Sequence, residues 1–184
     1  TTLCLAWLDD LDLAGASVLD YGCGSGVLAI AALRLGAARA VGVDNDPQAL
    51  QASRDNAGRN GVDAALTLFG PDAGDIGLHP VVVANILNNP LRLLAPALAR
   101  RVSPGGRIVL SGILAPQADD VIAAYGDWFT IAVWKADDGW VALAGMMSVV
   151  YSLGLADGDE RSDLDERFGT SWRSYRRAVT NWIP

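Results

Sequence analysis

The stretch VLDYGCGSGVL, residues 18–28, places a carboxylate, Asp20, ahead of three alternate glycines, Gly22, Gly24 and Gly26. Glycines at this spacing allow a tight turn and let a ligand approach the backbone without meeting a Cβ atom. The apolar residues that follow predict a helix that starts near Gly26, with its free N–H groups directed at the loop. This pattern indicates a nucleotide-type cofactor site.

A second carboxylate, Asp44, closes the next apolar run in the stretch VGVDND. A carboxylate at the end of a second strand can accept hydrogen bonds from both hydroxyls of a ribose. Gly24, Gly26 and Ala29 also satisfy the GxGxx[GA] pattern of dinucleotide sites, so a dehydrogenase is an alternative. Asp20 argues against it, because a carboxylate repels a pyrophosphate and attracts the sulfonium and ammonium groups of S-adenosylmethionine. A purely structural Asp20 that caps loop amides is the other interpretation.

Asn85 ends another apolar run, in the stretch VVVANILNNP. If such a site transferred the methyl group of S-adenosylmethionine to an amine, that amine would have to arrive neutral, although a free lysine has a pKa of about 10.4. The side-chain oxygen of Asn85 could accept a hydrogen bond from such an amine and orient its lone pair without a general base. A turn residue that caps the next helix has the same residue type and spacing, so both roles stay open at this point.

The elements that must position these residues follow from the apolar periodicity, which alternates between strand-like runs and helix-like stripes. Strands are predicted at SVLDYG, AVGVDND, AALTLF, PVVVANIL, GRIVLSGI, FTIAVW and WVALAGM, and helices at GVLAIAALRLG, DPQALQASRDNAGRNG, PLRLLAPALARRV and APQADDVIAAYGDW. This order predicts an α/β fold: a doubly wound, mostly parallel seven-stranded sheet with helices on both faces. Only KADDG separates the last two strands, so they should pair as an antiparallel edge hairpin. Ligands bind such sheets beyond the carboxyl ends of the strands.

The charge and the cysteine content narrow the possible partners. The 184 residues carry a formal net charge of −7, whereas binding to a nucleic-acid backbone needs clustered Lys and Arg. No direct nucleic-acid binding is expected, and a basic protein is the more suitable partner. Cys4 and Cys23 form no CxxC pair and no disulfide framework, which fits a reducing compartment, so a cytoplasmic location is expected.

Metal sites and membrane spans are not indicated. No Cys/His cluster suggests a metal ligand set, and His79, the only histidine, is expected to be a surface loop residue. The uncharged stretch from Trp140 to Ala156 falls short of the roughly 18 to 20 residues that a membrane span needs. A buried strand and loop are expected there instead.

Several stretches together resemble one known family in their order and spacing. They are TTLCLAWLD, DYGCGSGVLAIAALRLGA, DNDPQALQASRDNAGRNGV, VVVANILNNPL and LSGILAPQADDVIAAY. The DxGxGxG pattern with the following Asp is similar to class I, Rossmann-type methyltransferases. More narrowly, the chain resembles the catalytic domain of the ribosomal protein L11 methyltransferase family.

The resemblance implies a domain over residues 1–147 that binds S-adenosylmethionine. It implies that Gly22 and Asp44 contact this cofactor and that Thr1 approaches its methionine part. It also favours Asn85, in NIL, as a residue that contacts the cofactor and serves catalysis. The candidate cofactor-binding residues are therefore Thr1, Asp20, Gly22, Gly24, Gly26, Asp44 and Asn85, and Asn85 is also the candidate catalytic residue.

Three features depart from the family pattern. The family normally has an amino-terminal substrate-recognition domain and a GTGxHP segment before its Thr-Thr pair, and neither is seen before Thr1 in this sequence. Asn88 and Asn89 replace the small residues that the family pattern has at these positions. Residues 148–184 form an additional tail, predicted as an amphipathic helix that docks on the domain, with partner or membrane docking as the less favoured role. Its FGxxWRxYRxxVxxWIP pattern resembles the carboxyl-terminal end of isoprenylcysteine carboxyl methyltransferase-like membrane enzymes.

The expected function is S-adenosylmethionine-dependent N-methylation of lysine or amino-terminal amines on a basic ribosomal protein similar to L11. Two alternatives remain at this level. Specificity in class I methyltransferases depends on parts added to a shared core, so the substrate could be a small molecule. The chain could also be a catalytically silent cofactor-binding module whose tail docks a partner or a membrane.

Overall fold

The computed structural model describes residues 1–70 and 74–148 of the chain. Within these residues, helices and strands alternate as the apolar periodicity predicts. The elements are α1 (Thr2–Asp9), β1 (Ser17–Tyr21), α2 (Val27–Arg34), β2 (Arg39–Val43), α3 (Pro47–Arg59), β3 (Leu66–Phe69), β4 (His79–Asn85), α4 (Asn88–Ala99), β5 (Val102–Leu114), α5 (Ala118–Tyr125), β6 (Phe129–Asp137) and β7 (Trp140–Met147), with 3-10 turns at Asp63–Ala65 and Ala115–Gln117.

The seven strands form one sheet in the order β3-β2-β1-β4-β5-β7-β6. The first five strands are parallel, whereas β7 runs antiparallel to both β5 and β6. The predicted fold class, with its antiparallel edge hairpin, is confirmed. The strand order reverses between β1 and β4, and the crevice at such a reversal is the usual ligand site of a doubly wound sheet.

Helices cover both faces of the sheet because successive residues of a strand point to opposite sides. Val18 packs in one apolar cluster with Leu8 of α1 and Leu28 of α2. Its neighbour Leu19 packs in a second cluster with Leu91 of α4. Burial on both faces explains why the parallel strands are nearly continuous apolar runs.

The first helix, α1, is absent from the sequence prediction. Its buried residues Leu3, Cys4, Trp7 and Leu8 lie on one helix face, but the helix has no side-chain cap and no acidic residue in its first turn. Caps and early acidic residues are the signals that mark a helix start in a sequence. Tertiary packing against α2 and the sheet, rather than local signals, therefore selects this helix.

The edge hairpin is tighter than the sequence predicts. β6 continues through Asp137, so the expected KADDG loop shortens to the turn formed by Asp138 and Gly139. Both turn residues have positive φ, 46° and 77°, as the short hairpin turns with the twist of the flanking strands require.

His79 is not a surface loop residue, and that expectation is wrong. It is the first residue of β4 and only 2% exposed. Its Nδ1 accepts a hydrogen bond from the Ser17 hydroxyl at 2.8 Å, and its Nε2–H donates to the Ile76 carbonyl at 3.0 Å. Burial lowers the pKa of His79, and the nearby charges of Arg39 and Arg101 lower it further against the opposing effect of the Ile76 carbonyl. The ring is therefore a neutral core residue at the amino edge of the sheet.

The segment beyond β7 is described only in part. Residues 140–147 form a largely buried strand, as expected for the start of the uncharged stretch. The predicted tail helix lies outside the described residues. In the part of the chain that is described, no helix has both the length and the apolar character to cross a membrane.

Candidate functional site

The candidate residues meet at the carboxyl edge of β1, β2 and β4. Asp20 pairs in register with Gly42 of β2 and Val83 of β4. Asn85 ends β4, and Asp44 follows the last residue of β2. The sheet therefore brings the predicted residues to the point where the strand order reverses.

The glycine loop depends on backbone angles that favour glycine. Gly22, Gly24 and Gly26 have φ values of 76°, 53° and 79°. A Cβ atom on Gly22 would also overlap Cγ2 of Ile86, which follows β4. At positions 22 and 26, a side chain would therefore be excluded by contact as well as by backbone angle, since a Cβ on Gly26 would lie 2.9 Å from Oγ of Ser53.

Asp20 lies beneath the loop and is 1% exposed. Its Oδ2 accepts a hydrogen bond from the backbone N–H of Ala29 at 3.0 Å, so it caps the first turn of α2 rather than an amide of the loop. Its Oδ1 is buried and has no hydrogen-bond partner among the described residues. Burial raises the pKa of Asp20 to about 7; the Ala29 N–H opposes this rise, and the charge of Asp44 adds to it.

The amides that satisfy the dinucleotide pattern already donate to protein acceptors. Gly24 N–H donates to Asp44 Oδ2, Gly26 N–H to the Cys23 carbonyl, and Ala29 N–H to Asp20. Two of these acceptors are carboxylates. A pyrophosphate would have to displace them and would also be repelled by them, so the geometry disfavours a dinucleotide.

Asp44 bridges the glycine loop and the start of α3. Its Oδ2 accepts from Gly24 N–H at 2.8 Å, and its Oδ1 accepts from Asp46 N–H at 3.0 Å. Because a carboxylate offers about four lone-pair sites, two further acceptor positions remain. The partly exposed carboxylate can therefore accept ribose hydroxyls without giving up these bonds.

Asn85 and Thr1 are joined across 84 positions of the chain. Nδ2 of Asn85 donates to Oγ1 of Thr1 at 3.0 Å. This bond uses the donor end of the carboxamide, so Oδ1 is the end that faces away and can accept from an incoming N–H. The arrangement is that of an oriented acceptor at the sheet edge.

Two residues of α3 that the sequence interpretation did not select also hold the loop. Ser53 donates to the Gly24 carbonyl at 2.7 Å, and Asn56 donates to the Ser25 carbonyl at 2.9 Å. They lie three positions apart on one helix face, next to buried Leu50 and Ala57. In the sequence, this polar pair beside an apolar stripe indicates that Ser53 and Asn56 lie near the buried face of α3. It does not show that they bond the glycine loop.

No metal-binding group is found among the described residues: no three or more of their His, Cys, Asp or Glu side chains are placed so that they could hold an ion. The two cysteines are buried. Burial raises the pKa of both Cys4 and Cys23 to about 11, which keeps them as thiols near neutral pH.

Comparison with known proteins gives the same family at the level of sequence and fold. The family model described as ribosomal protein L11 methyltransferase (PrmA) matches residues 1–148. The ribosomal protein L11 methyltransferase of Azotobacter vinelandii is 61% identical over 149 residues, which cover 79% of this chain and 50% of the relative. The chain thus spans about half the length of the curated relatives it matches.

Solved structures agree with the sequence comparison. Ribosomal protein L11 methylase from Lactobacillus delbrueckii subsp. bulgaricus superposes with a TM-score of 0.74 and 29% identity, covering 79% of this chain and 77% of that one. An RNA methyltransferase from Salinibacter ruber, crystallised with S-adenosyl-L-homocysteine, has the same fold, with a TM-score of 0.61, 24% identity and coverage of 78% and 89%.

The resemblance inferred from the motifs over the first part of the chain is thereby confirmed, whereas the resemblance of the tail stays a prediction. The match covers the glycine loop, Asp44 and Asn85, which the sheet brings to one edge. By sequence and by fold, the chain belongs to the ribosomal protein L11 methyltransferase family.

Proposed function

We propose that this chain is the S-adenosylmethionine-binding part of a protein N-methyltransferase that acts on lysine or amino-terminal amines of a basic ribosomal protein. The observation that carries the proposal is the convergence of a buried carboxylate, a glycine loop, Asp44 and an oriented Asn85 at the switch point of the sheet. Family membership supports the same chemistry.

The residues of the site fit this cofactor. The buried Oδ1 of Asp20 lacks a partner among the described residues, and a nearby cationic group would stabilise its ionised form. Gly22 lets a ligand approach the backbone closely, and Asp44 offers acceptors for ribose hydroxyls. Thr1 stands beside Asn85, where the methionine part is expected. When bound, S-adenosylmethionine supplies an electrophilic methyl group on its sulfonium.

The contribution of the protein is alignment rather than proton transfer by a general base. Oδ1 of Asn85 accepts a hydrogen bond from the substrate amine, while Thr1 holds the other end of the carboxamide. Burial of the amine beside a cation favours its neutral form. Alignment of the reacting atoms in model reactions contributes about 7 to 11 kcal/mol, so an oriented neutral amine is the main requirement.

The charge of the chain supports the proposed substrate. A net charge of −7 attracts a basic protein and disfavours direct contact with nucleic acid. We place the enzyme in the cytoplasm, because a ribosomal protein substrate is present there and because its reducing conditions keep two free cysteines as thiols.

Two measurements on the purified chain test the proposal. Calorimetry with S-adenosylmethionine and with NAD should detect binding of the first ligand alone. Transfer of a labelled methyl group should then occur to ribosomal protein L11, and Asn85→Ala should abolish most of this transfer while the exposed Asn89→Ala does not. Transfer to free amines but not to the protein would indicate a small-molecule enzyme. Cofactor binding without transfer to the protein or to free amines would show that this chain by itself binds the cofactor but does not catalyse transfer, and binding of NAD would overturn the proposal.

A further inference from the structure

The glycine loop is attached to α3 by side chains that have no place in the cofactor assignment above. Ser53 is fully buried, and its hydroxyl donates to the Gly24 carbonyl at 2.7 Å. Asn56 donates to the Ser25 carbonyl at 2.9 Å. From these contacts we infer that Ser53 and Asn56 are positioning residues that hold the loop in its cofactor-binding form, an inference that rests on the proposed function.

The backbone N–H and the carbonyl of Gly24 are both hydrogen-bonded by the segment that runs from the end of β2 into α3. Its N–H donates to Asp44, and its carbonyl accepts from Ser53. Asp44 in turn accepts from Asp46, whose side chain caps α3 through Gln48 N–H at 2.8 Å. The segment from the end of β2 into α3 therefore sets the position of the loop relative to Asp44.

The loop packs against α3 at backbone distance. A Cβ atom on Gly26 would lie 3.1 Å from Cβ and 3.3 Å from Cα of Ser53. Because the peptide unit is planar and trans, a carbonyl that points toward α3 turns the next N–H away from that helix. The bonds from Ser53 and Asn56 thus fix the directions of two successive peptide planes in the loop.

The consequence for binding is preorganisation. A loop that must adopt its bound form at the moment of binding loses affinity in proportion to the population of other forms. Removal of either side-chain bond should therefore weaken S-adenosylmethionine and S-adenosylhomocysteine equally, because the loop is common to both complexes. It should leave the reaction of the fully bound enzyme nearly unchanged.

The test uses Ser53→Ala and Asn56→Asp, the second of which keeps the size of the side chain but removes the donor. Matched controls lie on the exposed side of the same helix, at Gln51, whose side chain bonds Asp55 and not the loop. Gln51→Ala removes a side-chain bond, as Ser53→Ala does, and Gln51→Glu makes the same charge change as Asn56→Asp. The dissociation constants of both ligands should rise about three- to tenfold for the loop-holding variants, as expected for one lost hydrogen bond, and stay near wild type for the controls.

Kinetics and amide exchange separate this role from general destabilisation. With saturating cofactor, kcat should stay near wild type while KM for S-adenosylmethionine rises. In the ligand-free protein, amides of residues 22–26 should exchange faster in Ser53→Ala and Asn56→Asp than in the controls. Unchanged dissociation constants would overturn the inference, whether or not exchange is faster. A wild-type chain that binds no S-adenosylmethionine would instead contradict the proposed function, and exchange would still show whether the two side chains hold the loop.

Discussion

At the scale of single residues, Asp44 does most to join the proposed ribose site to the loop, since its two oxygens accept from Gly24 and Asp46. Asp44→Ala should weaken binding of S-adenosylmethionine by about 1 to 3 kcal/mol through lost charged hydrogen bonds. Calorimetry measures this change directly. Asp46→Asn is the control, because it also removes one negative charge nearby and Asn caps a helix about as well as Asp. Equal affinities for Asp44→Ala and wild type would refute the assignment of Asp44.

Asp20 predicts a pH dependence of binding at the same scale. Burial raises the pKa of its carboxyl to about 7 in the ligand-free protein, and a cationic ligand beside it favours the ionised form. Affinity for S-adenosylmethionine should therefore rise as the pH increases through 7, with release of a proton.

Calorimetry in two buffers of different ionisation enthalpy detects that proton. Asp20→Asn keeps a side-chain oxygen that can accept from Ala29 N–H but cannot titrate. Its affinity should be lower and nearly independent of pH between 6 and 8. Equal pH dependence in this variant and the wild type would assign the proton to another group.

At the scale of elements, the loop after β1 and the segment after β4 meet at Gly22. Gly22→Ala adds a Cβ atom that overlaps Cγ2 of Ile86, at a residue whose φ is 76°. Gly15→Ala is a matched control, because Gly15 has a φ of 74° with no atom near its added Cβ. Both variants carry backbone strain, so the excess loss in Gly22→Ala, about 1 to 3 kcal/mol, measures the overlap.

Urea denaturation of four chains tests this contact. The variants are Gly22→Ala, Ile86→Ala, the double variant and wild type, and their free energies of unfolding form a double-mutant cycle. The double variant should be more stable than the sum of the single changes predicts, because Ile86→Ala removes the atom that Gly22→Ala would strike. Strict additivity would show that the loop moves away from β4 at no energetic cost.

The elements also show how far the sequence alone could predict this structure. Alternating apolar periods predict the succession of strands and helices along the chain, a mostly parallel sheet and the edge hairpin, because local patterns decide those features. They do not predict α1, whose N-cap Thr1 makes no side-chain capping bond and whose first turn has no acidic residue, nor the bonds from Ser53 and Asn56 to residues 29 and 31 positions away. The burial of His79 is not predicted either, because its partner Ser17 lies 62 positions earlier in the chain.

At the scale of the whole molecule, two buried titratable groups stand at opposite edges of the sheet and have opposite effects on stability. The pKa of Asp20 is raised from 3.8 to about 7, so the folded state binds more protons in that range and its stability falls as the pH rises through it. The pKa of His79 is lowered from 6.5. The unfolded chain then binds more protons below pH 6.5, so this contribution to stability falls as the pH decreases.

The contributions of Asp20 and His79 to stability change in opposite directions between pH 5 and 7 in the wild type. Asp20→Asn removes the first contribution, so the effect of His79 should become visible. The free energy of unfolding of Asp20→Asn, measured by urea denaturation without ligand, should fall more steeply than that of wild type from pH 7 to pH 5.

Because His79 is the only histidine of the chain, its ring resonances report its titration without ambiguity. They should show a pKa below 6.5, and Arg39→Gln should raise it by removing a nearby charge and a bond to Ser17. A His79 that titrates at or above 6.5 would mean that the amino edge of the sheet tolerates the charged ring, and the acid-side loss of stability would then belong to another group.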